Sequence, residues 1–293
     1  MQLIDGKIAA EAVKTRLAEA AKDLQEKGHR KPCLAAILVG NSGASETYIA
    51  SKVRTCGQIG YLSNLIRFDE QVSEERLLEE VRKINADATI DGLIVQLPLP
   101  AHIAAEKIIL AIDPKKDVDG FHPINMGNLT LGLDGFISAT PKGIMMLLEH
   151  YNIETEGKNA VIIGRSSIVG TPMSLLLSRN ASPGNCTVTL CHSKTKNLRS
   201  YLQQADIVVA ALGRPESIVA EDIKEGAVVI DVGITRIDDS AAPKGYRIVG
   251  DVDFKNVAPK CSWITPVPGG VGLMTIAALM QNTFTAYLKN IEN

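Results

Sequence analysis

Apolar residues at Ile8, Val13, Leu17, Ala20 and Leu24 recur every three to five positions, the spacing that lines one face of a helix. The run Leu34-Ala35-Ala36-Ile37-Leu38-Val39-Gly40 that follows has no such gaps and reads as a buried strand ended by glycine. The alternation continues with a helix around Ser45 to Gln58 and a strand over Leu62 to Arg67. A Ser73 cap with Glu74 and Glu75 in the first turn then opens a further helix, followed by a strand over Leu93 to Gln96. Helix and strand in turn predict a mostly parallel α/β sheet.

Between Pro98 and Pro141 the pattern loosens around Pro98, Pro100, Pro114 and Pro123, which predicts long surface loops joining two domains. From Lys142 a helix leads into Ala160-Val161-Ile162-Ile163-Gly164. Strands over Thr187 to Leu190, Ile207 to Ala210 and Val228 to Asp231 make this a second α/β unit. After the glycine-rich Pro268 to Gly272, the segment Leu273 to Tyr287 carries Leu273, Ile276, Ala277, Met280, Phe284 and Tyr287 at helical spacing, a stripe able to return to the first domain. The expected division is residues 1–141 with 273–293, against 142–272.

Composition narrows the partners. Lys+Arg 31 against Asp+Glu 33 leaves no positive surplus for phosphate backbones or anionic lipid, and 4% aromatic residues give few platforms for stacking bases. No nucleic acid is therefore expected, and small molecules lead. The longest apolar runs fall short of the roughly 20 residues that span a bilayer, and the first residues lack a signal-peptide layout, so no membrane partner and a cytoplasmic location are expected. Five cysteines at positions 33, 56, 186, 191 and 261 form no Cys-X-X-Cys pair, which predicts reduced thiols and no metal site.

Two segments carry chemistry. A strand ending at Gly164, then Arg165 to Gly170 and a helix near Thr171-Pro172, has the context of a phosphate-binding turn, although the usual Gly-X-Gly-X-X-Gly spacing is absent and a purely structural turn stays open. At the end of the next strand, Cys191-His192-Ser193-Lys194-Thr195 offers no carboxylate for a ribose 2′-hydroxyl. Ser193, Lys194 and Arg165 instead suit a 2′-phosphate, which favours NADP over NAD. His192 falls beside the adenosine ribose in this pattern, far from any hydride transfer. In the first half, Tyr48 and Lys52 share a helix face. The strand end at Gln96 and the loop Lys116-Asp117-Val118-Asp119-Gly120 belong to the sheet edge where ligands bind in parallel sheets. An ordinary amphipathic pair at Tyr48 and Lys52, and a turn-capping role for Asp119, are the alternatives from local chemistry.

Taken together, Ser45-X-X-Tyr48-X-X-X-Lys52, Asp91-Gly-X-X-Val-Gln96-Leu-Pro-Leu-Pro100, Lys116-Asp-Val-Asp119-Gly, Gly164-Arg-Ser-X-X-Val-Gly-X-Pro172 and Pro266-Val-Pro-Gly-Gly-Val-Gly272 resemble the bifunctional methylenetetrahydrofolate dehydrogenase/methenyltetrahydrofolate cyclohydrolase family, in the family's order and from near the N-terminus to the last helix. The resemblance implies an N-terminal α/β domain for tetrahydrofolate derivatives, a Rossmann-like NADP domain, a cleft between them, a C-terminal helix that returns to the first domain, and a homodimer. It implies that Lys52 is the catalytic lysine and shuttles protons during hydrolysis, that Tyr48 stacks on the folate, that Gln96 hydrogen-bonds Lys52, and that Asp119 holds the pterin. Val95, Leu97, Pro268, Gly269, Gly270, Val271 and Gly272 complete the folate contacts. Thr140, Gly164, Arg165, Ser166, Ser193, Gly233 and Ile234 are the implied NADP contacts.

The chain departs from the family's habit at Gly43, Ala139, Thr235 and Leu273, and none of these removes a catalytic group. Rival readings are a monofunctional NAD-dependent dehydrogenase, disfavoured by Lys52, Arg165 and Ser193, and a silent folate-binding protein, disfavoured because both ligand sites survive together.

Overall fold

The computed structural model describes residues 1–242 and 245–292. Among these, the chain runs in order through β1 (Gln2–Leu3), α1 (Gly6–Glu26), β2 (Cys33–Val39), α2 (Gly43–Gln58), β3 (Leu62–Phe68), α3 (Glu74–Ala86), β4 (Gly92–Val95), α4 (Ala105–Ala111), α5 (Pro123–Leu131) and α6 (Ala139–His150). It continues through β5 (Asn159–Ile163), α7 (Gly170–Ser178), β6 (Thr187–Cys191), α8 (Leu198–Leu202), β7 (Ile207–Ala210), β8 (Val228–Asp231), β9 (Thr235–Asp238), β10 (Tyr246–Val249), α9 (Phe254–Val257), β11 (Trp263–Ile264) and α10 (Val271–Ile291).

Two compact units result. One comprises Glu11–Ala139 with Ile276–Asn293, the other Met1–Ala10 with Thr140–Thr275. The first ten residues, expected with the first domain, join the second because β1 pairs in parallel with β11. Two residues are too few to show a strand's period, so this pairing had no signature in the sequence.

In the first unit β2 lies between β3 and β4 in a parallel three-stranded sheet. All seven β2 residues are buried, as the unbroken apolar run requires of a central strand covered on both faces. Helix α3 begins where Ser73 Oγ accepts from the Arg76 N–H at 3.2 Å, and it buries Leu77, Val81 and Ile84 against the sheet. The C-terminal helix returns to this unit. Asn282 donates to the carbonyls of Val118 and Ile137 (2.8 and 2.9 Å), the Tyr287 hydroxyl donates to the Arg30 carbonyl (2.7 Å), and Asn290 reaches the buried Asp91 (3.0 Å). The stretch expected to be long loops contains α4 and α5. Helix α5 starts at Pro123, whose missing N–H is no loss in a first turn, and stops at left-handed Gly132, so its few apolar positions never built a visible period.

The second unit holds a parallel six-stranded sheet in the order β1-β11-β8-β7-β5-β6, together with the antiparallel ribbon β9-β10. The chain winds outward from β5 in both directions, to β6 on one side and β7 on the other. The crevice above the end of β5 is thus the switch point where doubly wound sheets take nucleotides.

Candidate active site

In the second unit the turn after β5 is built around two glycines. Gly164 has φ +117, and a Cβ there would overlap the Ala211 carbonyl. At Gly170 an added Cβ would lie 2.5 Å from the carbonyl carbon of Gly164, so the start of α7 rests directly on the end of β5. Ser166 Oγ accepts from the Val169 N–H at 3.1 Å and its carbonyl accepts from Thr171 N–H at 3.0 Å, which fixes the turn from within. Arg165 is exposed, and its guanidinium makes no hydrogen bond or ion pair to any described residue. At the end of β6, Ser193 and Lys194 are exposed as well. The turn there is closed by His192, whose Nδ1 accepts from Lys194 N–H (3.2 Å) while its own N–H donates to Thr195 Oγ1 (2.9 Å), so His192 shapes the turn.

Gly233 is buried and Ile234 exposed after β8, and the Thr140 and Thr275 hydroxyls pair at 3.1 Å. In the Pro268 to Gly272 loop the close approach falls within the chain. Gly6 N–H donates to the Gly269 carbonyl at 2.9 Å, and a Cβ on Gly6 would sit 2.6 Å from the Gly270 carbonyl carbon. A Cβ on Gly270 would meet the Pro266 carbonyl oxygen at 2.6 Å, so this glycine is demanded by packing before any ligand is considered. This packing role of Gly6 was not legible in the sequence, since its partner lies at the far end of the chain.

In the first unit the expected residues of the lysine cluster come together. Lys52, on α2, is buried, and its Nζ donates to Gln96 Oε1 at 3.3 Å. Gln96 is held at the end of β4 by its N–H to the Ile37 carbonyl (2.9 Å) and by Nε2 to the Leu97 carbonyl (2.7 Å), which leaves Oε1 for the ammonium. Asp119 is half-buried. Burial pushes its carboxyl above the ordinary aspartate range, and the nearby charge of Lys52 opposes that rise. Tyr48, one turn before Lys52, is half-buried, and desolvation raises its phenol pKa. The Val95 side chain belongs to the core, whereas Leu97 and Pro268 keep accessible surface.

The loop bearing Asp119 is itself anchored. The buried Asp117 carboxylate accepts from Phe121 N–H (3.2 Å), His122 N–H (2.8 Å) and Asn125 Nδ2 (2.8 Å), and burial pushes it up to about 6. Lys116 points away from the cluster and donates to the Ile84 and Asp87 carbonyls (2.7 and 2.6 Å). Gly120, at φ +71, passes 2.6 Å from Ser138 N if given a Cβ, so the turn after Asp119 accepts only glycine without strain. Among the described residues no group of three or more His, Cys, Asp or Glu side chains is placed to hold a metal.

A glycine-built turn at the switch point of one α/β unit and a buried lysine hydrogen-bonded to a glutamine in the other fit the class of nucleotide-dependent enzymes. The particular family follows from comparison. Residues 4–119 match the catalytic domain of tetrahydrofolate dehydrogenase/cyclohydrolase and residues 138–291 match its NAD(P)-binding domain, so the chain belongs to this family. The bifunctional protein FolD of Porphyromonas gingivalis is 56% identical over 285 residues, spanning 97% of this chain and 96% of its own. The crystal structure of the bifunctional FolD methylenetetrahydrofolate dehydrogenase/cyclohydrolase from Campylobacter jejuni superposes with a TM-score of 0.92 at 46% identity, covering 99% of each chain. The Trypanosoma brucei enzyme, solved with NADP cofactor and an inhibitor, gives a TM-score of 0.94 at 35% identity over 99% of this chain and 98% of its own.

Proposed function

We propose that this chain oxidises 5,10-methylenetetrahydrofolate with NADP+ and hydrolyses the methenyl product to 10-formyltetrahydrofolate, with Lys52 carrying the protons of the second step. The observation that carries this reading is the buried Lys52 Nζ hydrogen-bonded to Gln96 Oε1 at 3.3 Å, within electrostatic reach of Asp119. Family membership and the Porphyromonas and Campylobacter relatives supply the two activities.

The second unit fits a dinucleotide. Gly164 and Gly170 let the start of α7 close directly onto the end of β5 at the switch point, and the exposed Arg165, without a side-chain partner among the described residues, suits a 2′-phosphate together with the exposed Ser193. The NADP-bound trypanosomal relative favours the same cofactor. Thr140, Ser166, Gly233 and Ile234 are proposed to complete that contact. When bound, NADP+ would supply the acceptor for the hydride lost from the bridging methylene of the folate.

That loss of hydride leaves a cation delocalised over two nitrogens and calls for no proton acceptor, so the protein's task in the first step is orientation. Asp119 accepts two parallel hydrogen bonds from the amino-pyrimidinone edge, and Tyr48 packs its ring on the folate. Val95, Leu97 and the Pro268, Gly269, Gly270, Val271 and Gly272 segment are assigned to the remaining folate contacts. In the second step water adds to the methenyl carbon and loses both of its protons as its oxygen becomes the formyl carbonyl, one passing to the nitrogen released as the C–N bond opens and the other leaving to solvent. Lys52 serves both transfers, and Gln96 aims it.

Lys52→Met keeps the volume of the buried side chain and removes the proton carrier. Cyclohydrolase activity is expected to fall by about 100-fold or more, the usual range for a lost acid/base group, with dehydrogenase activity retained in part. Equal loss of both activities would sink the assignment.

Two coarser inferences accompany this reading. Homodimerisation through the second unit is supported by β6, an edge strand with no neighbouring strand on its outer side among the described residues, and light scattering on the purified protein tests it. A cytoplasmic location is supported by five buried, unpaired thiols. No helix among the described residues is long and apolar enough to cross a membrane.

A further inference from the structure

Two buried carboxylates at the C-terminal edge of the six-stranded sheet have no role in the assignments above. Asp231 ends β8 and is 3% exposed. It accepts from the N–H groups of Gly233, Asp251 and Val252, each at 2.9 Å. Asp251 is fully buried and accepts from the N–H groups of Leu212 (2.6 Å), Gly213 (3.1 Å) and Arg214 (2.8 Å). Neither has an ion-pair partner among the described residues, so backbone N–H groups alone satisfy both. Asp231 N–H in turn donates to Thr265 Oγ1 at 2.7 Å, and the Thr265 Cβ lies 2.9 Å from where a Cβ on Gly270 would be.

The backbone has been cut to fit this pair. A Cβ on Gly250 would fall on the Asp231 carboxylate, and a Cβ on Gly233 would sit 2.5 Å from Asp251 N. Burial without a cation is unfavourable for a carboxylate and pushes Asp231 up to about 6. What the pair does achieve is positional. It joins the loop Leu212–Arg214 after β7, the loop Gly233–Ile234 after β8 and the segment from Thr265 after β11, the ends of three adjacent parallel strands.

Their place along the sheet says what they position. The phosphate turn lies at the end of β5, and the 2′-phosphate group at Arg165 and Ser193 lies towards β6, so the adenosine half occupies that side of the switch point. A dinucleotide lying across the crevice must then place its nicotinamide half over the ends of β7 and β8. We propose that Asp231 and Asp251 are a positioning pair that holds these loops to receive the nicotinamide half of NADP, so that dinucleotide binding depends on them and folate hydrolysis does not. The proposal rests on the NADP-dependent reading given above.

The test uses Asp251→Asn and Asp231→Asn in the full chain, with calorimetric titration of NADP+ and of adenosine 2′,5′-bisphosphate, and hydrolysis of 5,10-methenyltetrahydrofolate without nucleotide. Each variant is expected to bind NADP+ at least tenfold more weakly, to bind the bisphosphate within twofold of wild type, and to hydrolyse methenyltetrahydrofolate within twofold of wild type. NADP+ affinity unchanged would overturn the proposal, as would equal weakening of NADP+ and bisphosphate binding in a variant that still hydrolyses methenyltetrahydrofolate. Should both variants fail to fold, Thr265→Val removes only the hydroxyl that Asp231 N–H donates to. It is expected to weaken NADP+ about threefold with the bisphosphate unchanged, and wild-type NADP+ affinity there would count against the pair. Calorimetry needs no turnover, so wild-type protein that binds NADP+ without reducing it would refute the dehydrogenase reading while the pair is still judged on affinities. Wild-type protein that binds the bisphosphate but not NADP+ would overturn both.

Discussion

Gly170→Ala puts the dinucleotide reading under direct strain. The new Cβ would start 2.5 Å from the Gly164 carbonyl carbon, whereas packed carbons keep about 3.5–4.0 Å, so the start of α7 must move away from the end of β5 by about 1 Å. The obstacle is backbone on both sides, and no side chain can swing aside. A hydrogen bond of about 2.9 Å from a turn N–H to a pyrophosphate oxygen is lost over such a shift. Bonds to charged groups contribute about 1.5–3 kcal/mol each, and two lost at the low end amount to about 3 kcal/mol, or roughly 100-fold in Kd. Calorimetric titration with NADP+ measures this directly, and hydrolysis of 5,10-methenyltetrahydrofolate in the same preparation shows whether the first unit is intact. A folded variant whose NADP+ Kd stays within about threefold of wild type would refute the claim that this turn is the phosphate cradle.

Asp91→Ala tests the node that ties the C-terminal helix to the first unit. Asp91 is fully buried and accepts from both terminal nitrogens of Arg30 (2.8 and 2.6 Å), from Cys33 N–H (2.8 Å) and from Asn290 Nδ2 (3.0 Å), so its removal strands several donors. A loss of about 3 kcal/mol in urea unfolding followed by circular dichroism is expected, the low end for a broken buried pair because Arg30 keeps partial access to water, and under about 1 kcal/mol would contradict it. Asp117 supplies a pH prediction. Its carboxyl, raised from 3.8 to about 6 by burial, holds a proton in the folded chain where the unfolded chain has released it, so its contribution to stability falls as pH rises from about 4 to about 6. The stability of wild type minus that of Asp117→Asn should therefore drop by up to about 3 kcal/mol across that interval, and a flat or rising difference would show that the group is not desolvated.

The order of elements was legible because hydrophobic period is a local property, complete within a dozen residues. The β2 run, the Ser73 cap that opens α3 and the strand endings at Gly164 and Asp231 all stand where the pattern puts them. The lysine cluster was reached by another route. Tyr48 and Lys52 share a helix face by spacing, but the Lys52–Gln96 hydrogen bond crosses 44 positions, and only the resemblance linked them. Helices α4 and α5 escaped notice, since each is too short to show a period, α4 with seven residues and α5 with nine between Pro123 and Gly132.

By itself, then, the sequence determined two α/β units and the family, both of which are written in short runs of neighbouring residues. Only the tertiary structure decided that Gly6 must be glycine to admit Gly270, that β1 completes the sheet of the other unit, and that Asp91, Asp117, Asp231 and Asp251 are buried acceptors rather than surface charges. The physical reason is shared. A carboxylate's state and a glycine's necessity depend on which N–H groups and carbonyls the folded backbone brings within about 3 Å, and those partners come from segments that no local pattern connects.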